Sequence, residues 1–588
     1  MNYKIIRETD INEDIVEVVF QNRGIDPQFI SQFINPTEDV KTNPYDYTNM
    51  KKAVDTFIKH FDDGNKAILL VDSDVDGYMS AAMTRRAIEM IWPNAQLVTL
   101  FHSEKQHGLT EEIMSKIFKE KDISLVIVPD AGSENYKNHL VLKENGIDCI
   151  VIDHHEVPTR SGDAIIVNNQ FPGEPNPNLS GAGMVYKFLE GLFFEKHNSP
   201  EIADFFLDMT ASALVADIMD LNDLESRYIL KKGFSNLTNP LIRTALTNKG
   251  EVKEKMDFID VGYNISPLIN ATIRVGTEEE KLNLFESILG HDRIIKDVTT
   301  KVYKTKDNIV EDLTLQQFVI FNSKALKERQ QKYIADEMVN IQSQIDEQEN
   351  YAIGVYVLSD SFPASVGGLL ANKLASITCK PAIVLKKYGE IYSGSVRAFD
   401  FHNLKDYLKE LDYSTFCSGH QGAFGIGFTQ EGLLQFKMFL QTNKELQKPE
   451  LVYKVDRIYD KSTGATIDRL KEDIFKISAF NEEWSNGFEQ PHFAIVLKDV
   501  TLDQISLMGK QKNTLKITSN GISFIKFKED VNKLQNLCTN TTKDITIIGT
   551  FDVNEWNGRI FPQVKIVDYD FKNSSEDSQV FNPFAFII

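Results

Sequence analysis

Carboxylates and histidines come directly after the short apolar runs in the first part of this sequence. In an open α/β sheet, functional sites form beyond the carboxyl ends of the strands, so these side chains are expected to meet there. So many acidic groups around one sheet edge would repel each other strongly unless cations neutralised them, and two neighbouring histidines favour a transition metal. The side chains are Asp72, Asp74, Asp76, Asp130, Asp153, His154, His155 and Asp217.

The pattern predicts a pair of divalent metal ions that activate water against a phosphate ester. Asp74 and Asp76 could each face a different ion, with Asp130 between them. Carboxylates that hold two ions about 4 Å apart are a common arrangement for the hydrolysis of such esters. A single aspartate after a strand is more often a helix cap, so the prediction depends on the whole set.

Two other kinds of site fit the sequence less well. Asp72, Asp74 and Asp76 match the start of a calcium-binding EF-hand loop, but the position that requires glutamate is Met83. A strand also precedes the aspartates, where the EF-hand needs a helix. A nucleophilic hydrolase is not indicated, because the sequence has no G-x-S-x-G motif and none of its 4 cysteines has an identifiable catalytic setting.

Composition and charge narrow the class of protein. With 588 residues, 42% of them apolar and 25% charged, the chain is expected to form three or four globular domains. The net charge of −21 (64 basic minus 85 acidic residues) argues against binding nucleic acid over the whole surface, so a polyanion must meet a local positive or metal-bearing site. The sequence lacks a long apolar run and a signal peptide, and its cysteines are widely spaced, so we expect a cytoplasmic protein with reduced thiols and no membrane contact.

The periodicity of apolar residues divides the chain into four parts. Alternating strands and helices over the first third predict a mostly parallel α/β sheet. Helical periodicity dominates from about 200 to 350, and a second strand and helix pattern begins at 352. Strands on both sides of Asn520-Gly521 predict an antiparallel module, for which a small OB-fold barrel is one candidate. The apolar stripe of a long connecting helix consists of Ile334, Met338, Ile341 and Ile345.

The chemical residues also carry a resemblance to a known family. Four motifs in the expected order, together with a downstream set, resemble the DHH phosphoesterase superfamily and, within it, the RecJ exonucleases. The resemblance covers nearly the whole chain, and the motifs are highly specific. They are Asp72-x-Asp74-x-Asp76, Asp130, Asp153-His154-His155 and Val215-Ala216-Asp217, followed by Ser393 to Arg397, Ser418 to His420 and Val553 to Gly558.

This resemblance implies an α/β multidomain fold. It combines a parallel-sheet DHH domain, a helical connector, a smaller α/β DHHA1 domain and a C-terminal β-barrel of the OB-fold type. We place an N-terminal region at 1–50, the DHH catalytic domain at 51–240, the connector with its long linking helix at 241–350, the DHHA1 domain at 351–445 and the OB-fold domain with flanking segments at 446–588.

The activity that the resemblance implies is a 5′ to 3′ exonuclease specific for single-stranded DNA. Such an enzyme hydrolyses phosphodiester bonds with two divalent metal ions, Mn²⁺ or Mg²⁺, and releases 5′-mononucleotides. By family position, Asp74 and Asp130 would hold one ion. The other ion would be held by Asp76, Asp130, His154 and Asp217.

Family position also assigns the catalytic residues, which are His155, Asp130, Asp72 and Asp153. His155 would contact the scissile phosphate or protonate the leaving group. Asp72 and Asp153 would support the ligands, because metal ligands need oriented partners.

Substrate-binding residues are expected in the connector and the DHHA1-like domain. Arg397 with Ser395 resembles the family's pocket for a terminal 5′ phosphate, and an arginine can bind two phosphate oxygens at once. His420 could instead be a loop histidine without a ligand, and Arg274 could form a structural ion pair. The complete set is Ser395, Arg397, Gly419, His420, Asn270 and Arg274.

Lysines interleave with aromatic residues in the C-terminal module. This composition suits a groove that binds a single strand by stacking its bases. The aromatic residues could equally form the barrel core, and Trp556 is expected there. The residues are Lys510, Lys512, Lys516, Lys526, Lys528, Phe524 and Phe527.

Three positions depart from the family pattern, and none of them is an expected metal ligand. Ser418 and Ile273 stand where the family usually has glycine, and His102 stands near the place of an arginine that helps to bind the end phosphate. One alternative function is a phosphodiesterase acting on short oligonucleotides or cyclic dinucleotides, and another is a catalytically silent replication scaffold. The resemblance also suggests a single-strand-binding protein and a helicase as partners. We expect the protein to be a monomer.

Overall fold

The chain forms two compact units in the computed structural model. The large unit comprises Asp39–Met219 and Tyr228–Pro449, and the small unit comprises Met1–Glu38, Asp220–Arg227 and Glu450–Ile588. Among the helices that the structure describes, none has the length and apolar character needed to cross a membrane. The described residues are 1–103, 106–157, 162–248, 251–301, 308–399, 401, 403–443, 452–460, 463–509, 512–529, 537 and 542–574.

A five-stranded parallel sheet opens the large unit and confirms the prediction made from the apolar runs. Ile68, Leu70, Val126 and Val128 are fully buried in its central strands, because helices cover both faces. In sheet order the strands are Leu97–Phe101, Lys66–Val71, Ile123–Pro129, Asp148–Asp153 and Ile165–Asn168. The helices are Met50–Asp62, Val75–Ile91, Glu111–Ile117, Tyr136–Glu144 and Gly181–His197.

Helices then dominate the middle of the chain, as expected. Two of them begin with a capping box. The side chain of Thr277 accepts a hydrogen bond from the backbone N–H of Glu280, and the side chain of Glu280 accepts one from the backbone N–H of Thr277. Thr314 and Gln317 form the same pair of bonds. The α-helices are Leu207–Ala216, Leu224–Ser235, Pro240–Ala245, Ser266–Val275, Glu278–Leu289, Leu315–Asn340 and Gln342–Glu347, and a π-helix spans Asp260–Ile265.

Two details of this region differ from the prediction. The apolar stripe crosses a helix boundary, because Ile341 is the C-cap of Leu315–Asn340 and Ile345 lies in the next helix. An antiparallel ribbon of Ile294–Lys301 and Asn308–Thr314 also interrupts the helices. Its side chains are largely exposed, so it lacks the buried alternation by which strands are recognised in a sequence.

A second sheet follows in the large unit and forms the smaller α/β layer that was predicted. Its first pair is parallel and the remaining pairs are antiparallel. In sheet order the strands are Gly354–Val357, Ala382–Tyr388, Ile391–Arg397, Ala423–Thr429 and Phe416–His420. Helices Gly367–Thr378, Leu404–Glu410 and Gln430–Thr442 belong to this layer.

The small unit is built on a mixed seven-stranded sheet. Asn520 and Gly521 both have positive φ, 51° and 78°, which is the turn geometry that the Asn-Gly pair predicts. Helix Ile467–Ser478 packs on this sheet. In sheet order the strands are Arg457–Tyr459, Phe493–Val500, Lys543–Trp556, Arg559–Asn573, Ile522–Lys526, Thr514–Ser519 and Ile505–Met508.

The aromatic residues of this sheet divide between core and surface. Phe524 is fully buried, whereas Phe527 is exposed. Trp556 is 68% exposed, so the expectation that it lies in the barrel core is wrong. It lies at the tip of a long hairpin, beside the turn Asn557-Gly558, where every residue from Asn554 to Phe561 is exposed. Among the residues that the structure describes, no opposing layer covers that tip, which a sequence pattern cannot show.

Both ends of the chain contribute to the small unit. Strand Asn2–Ile5 pairs in parallel with Val452–Val455. Helix Ile15–Gln21 buries Val19 and Phe20 against the core that Leu470 and Ile474 of helix Ile467–Ser478 also form. The five segments predicted from the sequence stay a prediction at the level of separate domains.

Candidate metal centre

Asp74 lies where the central strand Lys66–Val71 passes into a helix. Its side chain accepts a hydrogen bond from the N–H of Gly77 at 3.0 Å and so caps helix Val75–Ile91. Gly77 packs directly against Asp72, since a Cβ at position 77 would lie 2.5 Å from the Cβ of Asp72. Asp74 remains partly exposed.

Asp76 lies two residues further on, in the first turn of the same helix. Its side chain is buried against the N-terminus of a second helix, Gly181–His197. Its carboxylate accepts hydrogen bonds from Ser180 Oγ at 3.0 Å, the N–H of Gly181 at 2.7 Å and the N–H of Ala182 at 2.8 Å. The positive end of that helix stabilises the negative charge. A side chain at position 181 would lie 2.2 Å from Asp130 Oδ1, so only glycine allows this approach.

Asp130 has a strained backbone and a buried, unsatisfied oxygen. Its φ is 64°, and its N–H donates to the carbonyl of Ile152 at 2.7 Å, which turns the side chain across the sheet edge. Asp130 Oδ1 lies 3.2 Å from His154 Nε2 but forms no hydrogen bond within the described part of the chain. Burial, followed by the charges of Asp76 and Asp74, raises the pKa of Asp130 well above its usual range.

His154 occupies the middle of the acidic cluster. Its Nε2 lies 3.6 Å from Asp76 Oδ2 and 3.6 Å from Asp217 Oδ2, in addition to the approach of Asp130. Burial lowers the pKa of His154 despite these carboxylates, which favours the neutral imidazole that ligates metals. Asp217 does not follow a strand, because it is the C-cap of helix Leu207–Ala216.

Asp153 holds the two histidines in place. Its Oδ1 accepts hydrogen bonds from the N–H of His154 at 2.7 Å and from His155 Nδ1 at 2.8 Å, while Oδ2 accepts one from the N–H of Ser133 at 2.9 Å. Burial alone would raise the pKa of Asp153, but the hydrogen bond and charge of His155 outweigh it and lower the pKa. The same bond outweighs the burial of His155 and raises its pKa to about 10.

Asp72 is supported by a histidine that the sequence analysis did not assign. His107 Nδ1 lies 2.5 Å from Asp72 Oδ2, and the N–H of Gly108 donates to Oδ1 at 3.1 Å. Asp72, Asp74 and His107 could together place three ligand atoms within 4.8 Å of one another. His102 is buried beside them, with Nε2 3.8 Å from Asp72 Oδ1. Motif spacing gives no signal for His107, because its contact with Asp72 depends on the path of the loop that carries His107.

These residues fit divalent metal ions. Two groups of ligand atoms, each within 4.8 Å, share His154. One consists of Asp76, His154 and Asp217, and the other of Asp130, His154 and His155. A buried carboxylate oxygen without a hydrogen bond, next to further carboxylates, is a donor set that a cation would satisfy. We refer to Asp74, Asp76, Asp130, His154 and Asp217 as the metal centre.

Two arginines of the large unit lie close to this centre. Burial lowers the pKa of Arg274; the charge of Asp74 opposes the shift and that of Arg397 adds to it, so the three groups are neighbours. Arg274 forms no ion pair within 4.0 Å among the described residues, and its carbonyl accepts a hydrogen bond from Ser365 Oγ at 2.7 Å. Asn270 lies one helical turn before it and therefore on the same helix face.

Arg397 and Ser395 lie against the start of helix Gly367–Thr378. A Cβ at Gly368 would lie 2.7 Å from Arg397 Nη2, and a Cβ at Gly367 would lie 3.8 Å from Ser395 Oγ. A guanidinium and a hydroxyl at the start of a helix together suit an anion such as phosphate. Burial lowers the pKa of Arg397.

Gly419 and His420 lie in the edge strand Phe416–His420. Gly419 has φ 120°, and its carbonyl accepts a hydrogen bond from Lys405 Nζ at 2.5 Å. Lys405 Nζ also lies 3.4 Å from Glu156, which follows the histidine pair in the chain, and so connects this strand to the parallel-sheet layer. The side chain of His420, and the whole of Lys510, lie outside the described residues.

Family models match two parts of the chain. Residues 66–214 match the DHH family, N-terminal domain, and residues 465–568 match the RecJ OB domain. The first match contains the parallel sheet and most of the metal centre. The second contains most of the seven-stranded sheet and supports the OB-type fold predicted for the C-terminal module.

Two relatives that match along most of this chain agree with these family models. The SPbeta prophage-derived protein YorK of Bacillus subtilis (strain 168), whose name describes a single-strand DNA-specific exonuclease, is 32% identical over 599 residues, covering 99% of this chain and 100% of its own. The single-stranded-DNA-specific exonuclease RecJ of the same organism is 25% identical over 582 residues, covering 94% of this chain and 67% of its own.

A solved structure shares the fold. The crystal structure of RecJ in complex with Mn²⁺ from Thermus thermophilus superposes with a TM-score of 0.72 at 17% identity, covering 97% of this chain and 78% of that one. The identity and coverage of the relatives, rather than this structural likeness, decide the family. The chain belongs to the RecJ family of DHH-type exonucleases.

Proposed function

We propose that this protein is a metal-dependent exonuclease that degrades single-stranded DNA from the 5′ end and releases 5′-mononucleotides. The observation that carries the proposal is the metal centre, in which a buried oxygen of Asp130 accepts no hydrogen bond from any described residue and lies beside three other carboxylates and His154. The names of the relatives support the same activity and substrate.

The expected distribution of ligands follows the geometry. Asp76, His154 and Asp217, with Asp130, would hold one divalent ion, and Asp130 with Asp74 would hold the other. Mn²⁺ and Mg²⁺ are both reasonable, because RecJ structures from Thermus thermophilus carry each of them. Such ions supply a hydroxide nucleophile at neutral pH and neutralise charge on the phosphate during displacement.

His155 is the residue best placed to touch the scissile phosphate. Its side chain is 45% exposed, whereas its Nδ1 is fixed by Asp153 at 2.8 Å. The Nε2 edge is therefore the free edge of a ring whose orientation is already set. In this position His155 would bind the phosphate or pass a proton to the departing 3′ oxygen, which is general acid catalysis.

The two arginines account for recognition of the strand end. Arg397, Ser395 and the start of helix Gly367–Thr378 would bind a terminal 5′ phosphate, with Arg274 between that pocket and Asp74. A phosphate held there fixes which linkage reaches the metal centre and gives the enzyme its polarity. Asn270, Gly419 and His420 would contact the backbone of the first nucleotides.

Further parts of the proposal concern the rest of the molecule. The five segments named above would act as an N-terminal region, catalytic domain, connector, DHHA1 domain and strand-binding domain. In the last of these, Lys512, Lys516 and Lys528 would contact DNA phosphates, whereas Lys526 Nζ is engaged with the carbonyl of Val567. We expect a cytoplasmic monomer that cooperates with a single-strand-binding protein and a helicase.

A time course with Mn²⁺ on end-labelled DNA tests the proposal. Single strands labelled at either end, with a 5′ phosphate or a 5′ hydroxyl, are compared with the same sequence as a duplex. Early release of 5′-labelled mononucleotide from the phosphorylated single strand is expected. Turnover of dinucleotides without cleavage of long strands would favour the short-oligonucleotide phosphodiesterase, and binding without turnover would favour the scaffold.

A further inference from the structure

Asn168 ends the strand that neighbours the one carrying Asp153. In the register of the parallel sheet the two residues lie opposite each other, each as the last residue of its strand. The carboxyl ends of parallel strands form one edge of the sheet, so Asn168 lies at the same edge as the metal centre. Its side chain is buried, with 1% exposure, and the proposed function gives it no role.

The side-chain amide of Asn168 forms hydrogen bonds through both its nitrogen and its oxygen. Nδ2 donates to Ser133 Oγ at 2.9 Å and to the carbonyl of His155 at 3.0 Å, and Oδ1 accepts from the N–H of Gln170 at 2.7 Å. The His155 carbonyl can only accept and the Gln170 N–H can only donate, so these two partners fix the orientation of the amide. Asn168 thereby connects the loops that follow three strands of the sheet.

These bonds hold His155 from the side opposite to Asp153. The N–H of His155 donates to Asp153 Oδ1 at 3.1 Å and its Nδ1 lies 2.8 Å from the same oxygen, whereas its carbonyl accepts from Asn168. The ring is 45% exposed, so packing alone does not fix its direction. Asp153 and Asn168 together set both the backbone and the ring of His155.

We propose that Asn168 is a positioning residue for the reaction, because its bond to the carbonyl of His155 keeps the free imidazole edge at the scissile phosphate. The inference rests on the proposed function, in which His155 binds that phosphate or passes a proton to the departing oxygen. A misplacement of about 1 Å can cost about 10²-fold in rate, even when the altered residue does not touch the substrate. Asn168 would act in this indirect way.

Asn168→Ser removes the bonds to His155 and Ser133 with little disturbance of the local turn. A serine hydroxyl can accept the same bond from the N–H of Gln170, but it is too short to reach the other two partners. On single-stranded DNA with saturating Mn²⁺, kcat should fall about 10- to 100-fold. KM should change by less than about twofold, since the lost bonds do not contact the strand. Asn168→Ala, which also gives up the turn, provides a second measurement of the same loss.

A double-mutant cycle with His155→Ala separates positioning from a general effect on the fold. If Asn168 acts through the imidazole, Asn168→Ser should have no further effect once that ring is absent, so the double variant should be as slow as His155→Ala. Two independent effects would instead multiply. A kcat of the double variant that equals the product of both single losses would overturn the inference.

Ser133→Ala identifies which of the two donated bonds carries the effect. It removes one partner of the Asn168 amide but leaves the N–H of Ser133 on Asp153 and the bond to the His155 carbonyl. Its kcat should therefore stay within about threefold of the wild type. A loss as large as that of Asn168→Ser would assign the effect to the loop of Ser133 and contradict the inference.

Asn239→Ala is a matched control for the loss of a buried asparagine. Asn239 Oδ1 accepts from the N–H of Leu241 at 3.0 Å, and its Nδ2 donates to the carbonyl of Ile288 at 2.8 Å, so it forms the same kinds of bond elsewhere in the large unit. This variant should melt at a lower temperature than the wild type. Well below that temperature, its kcat should be unchanged, as expected of an asparagine that serves the fold alone.

Melting temperatures with and without Mn²⁺ complete the test. The shift on adding Mn²⁺ to Asn168→Ser should equal that of the wild type, since the bond between His154 and Asp153 remains. A lost shift, or a wild-type kcat in either Asn168→Ser or His155→Ala, would overturn the inference and leave the exonuclease activity in place. A wild-type protein that does not cleave single strands would instead refute the proposed function.

Discussion

The metal centre of the large unit buries carboxylates beside one another, whereas the core of the small unit buries aromatic rings. Asp76 and Asp130 are each 2% exposed or less, and mutual repulsion opposes their proximity. Phe493 and Phe551 stack with centroids 3.8 Å apart, and Tyr459 packs on both. The first region is arranged for a ligand at the expense of stability, and the second contributes stability alone.

This contrast predicts opposite responses to side-chain removal. In the metal centre, loss of a carboxylate should affect activity strongly and leave the fold intact or slightly more stable without metal. In the aromatic core, loss of a ring should destabilise the small unit because it leaves a cavity.

Asp130→Ala should have the largest effect. Because Asp130 approaches His154 and lies between the two expected ions, cleavage of single-stranded DNA should fall by at least about 10³-fold. Initial rates with Mn²⁺ measure the loss. Thermal unfolding in EDTA should show a melting temperature no lower than the wild type, since like-charge repulsion is relieved. Retained activity with a normal manganese dependence would eliminate the two-metal assignment.

Phe551→Ala should give the next largest effect, but on stability. Removing a fully buried ring that stacks on Phe493 should cost about 3 to 5 kcal/mol. Urea unfolding followed by tryptophan fluorescence measures it, with Phe551→Leu as a control that leaves a smaller cavity. A cost below about 1 kcal/mol would mean that the core rearranges around the gap.

Asp153→Asn should have an intermediate effect on metal dependence. The change keeps the shape but removes the charge that orients His154 and His155, and loss of such support typically costs about 10- to 100-fold in metal affinity or activity. A titration of activity with Mn²⁺ should show a shift to higher concentration. Asp148→Asn, on the same strand but at its opposite end, serves as the control. An unshifted titration would show that the histidines keep their orientation without Asp153.

Trp556→Ala should have the smallest effect on folding. The indole is exposed at the hairpin tip, so the free energy of unfolding should change by no more than about 0.5 kcal/mol. Urea unfolding measures this change in the free energy of unfolding, with Phe551→Ala as the comparison. A destabilisation of several kcal/mol would place the ring in the core after all.

The sequence predicts well which side chains meet at this sheet edge, because the strand ends determine their position. Asp74, Asp130 and His154 follow strands of one parallel sheet, and such ends necessarily share an edge. Asp217 was predicted from the family motif, although its element is a helix. His107 and Gly181 were not assigned, because their contacts with Asp72 and Asp130 depend on loop paths that no local pattern records.

The small unit was less predictable for a related reason. Alternation and the Asn520-Gly521 turn predict its central hairpin, since both are local signals. The exposure of Trp556 depends on how far a hairpin extends past the layer that covers it. The positive φ of Ile218, 57°, is likewise determined by the end of helix Leu207–Ala216, because isoleucine by itself disfavours a positive φ.

The assembly of the small unit has a consequence for biosynthesis. Helix Ile15–Gln21 emerges early from the ribosome, but its core partners Leu470 and Ile474 are translated more than three quarters of the chain later. At typical rates of about 5 to 20 residues per second, the delay is roughly 20 to 90 seconds. During that interval Val19 and Phe20 are aggregation-prone, so a chaperone that covers the nascent N-terminal segment should determine the yield of native protein.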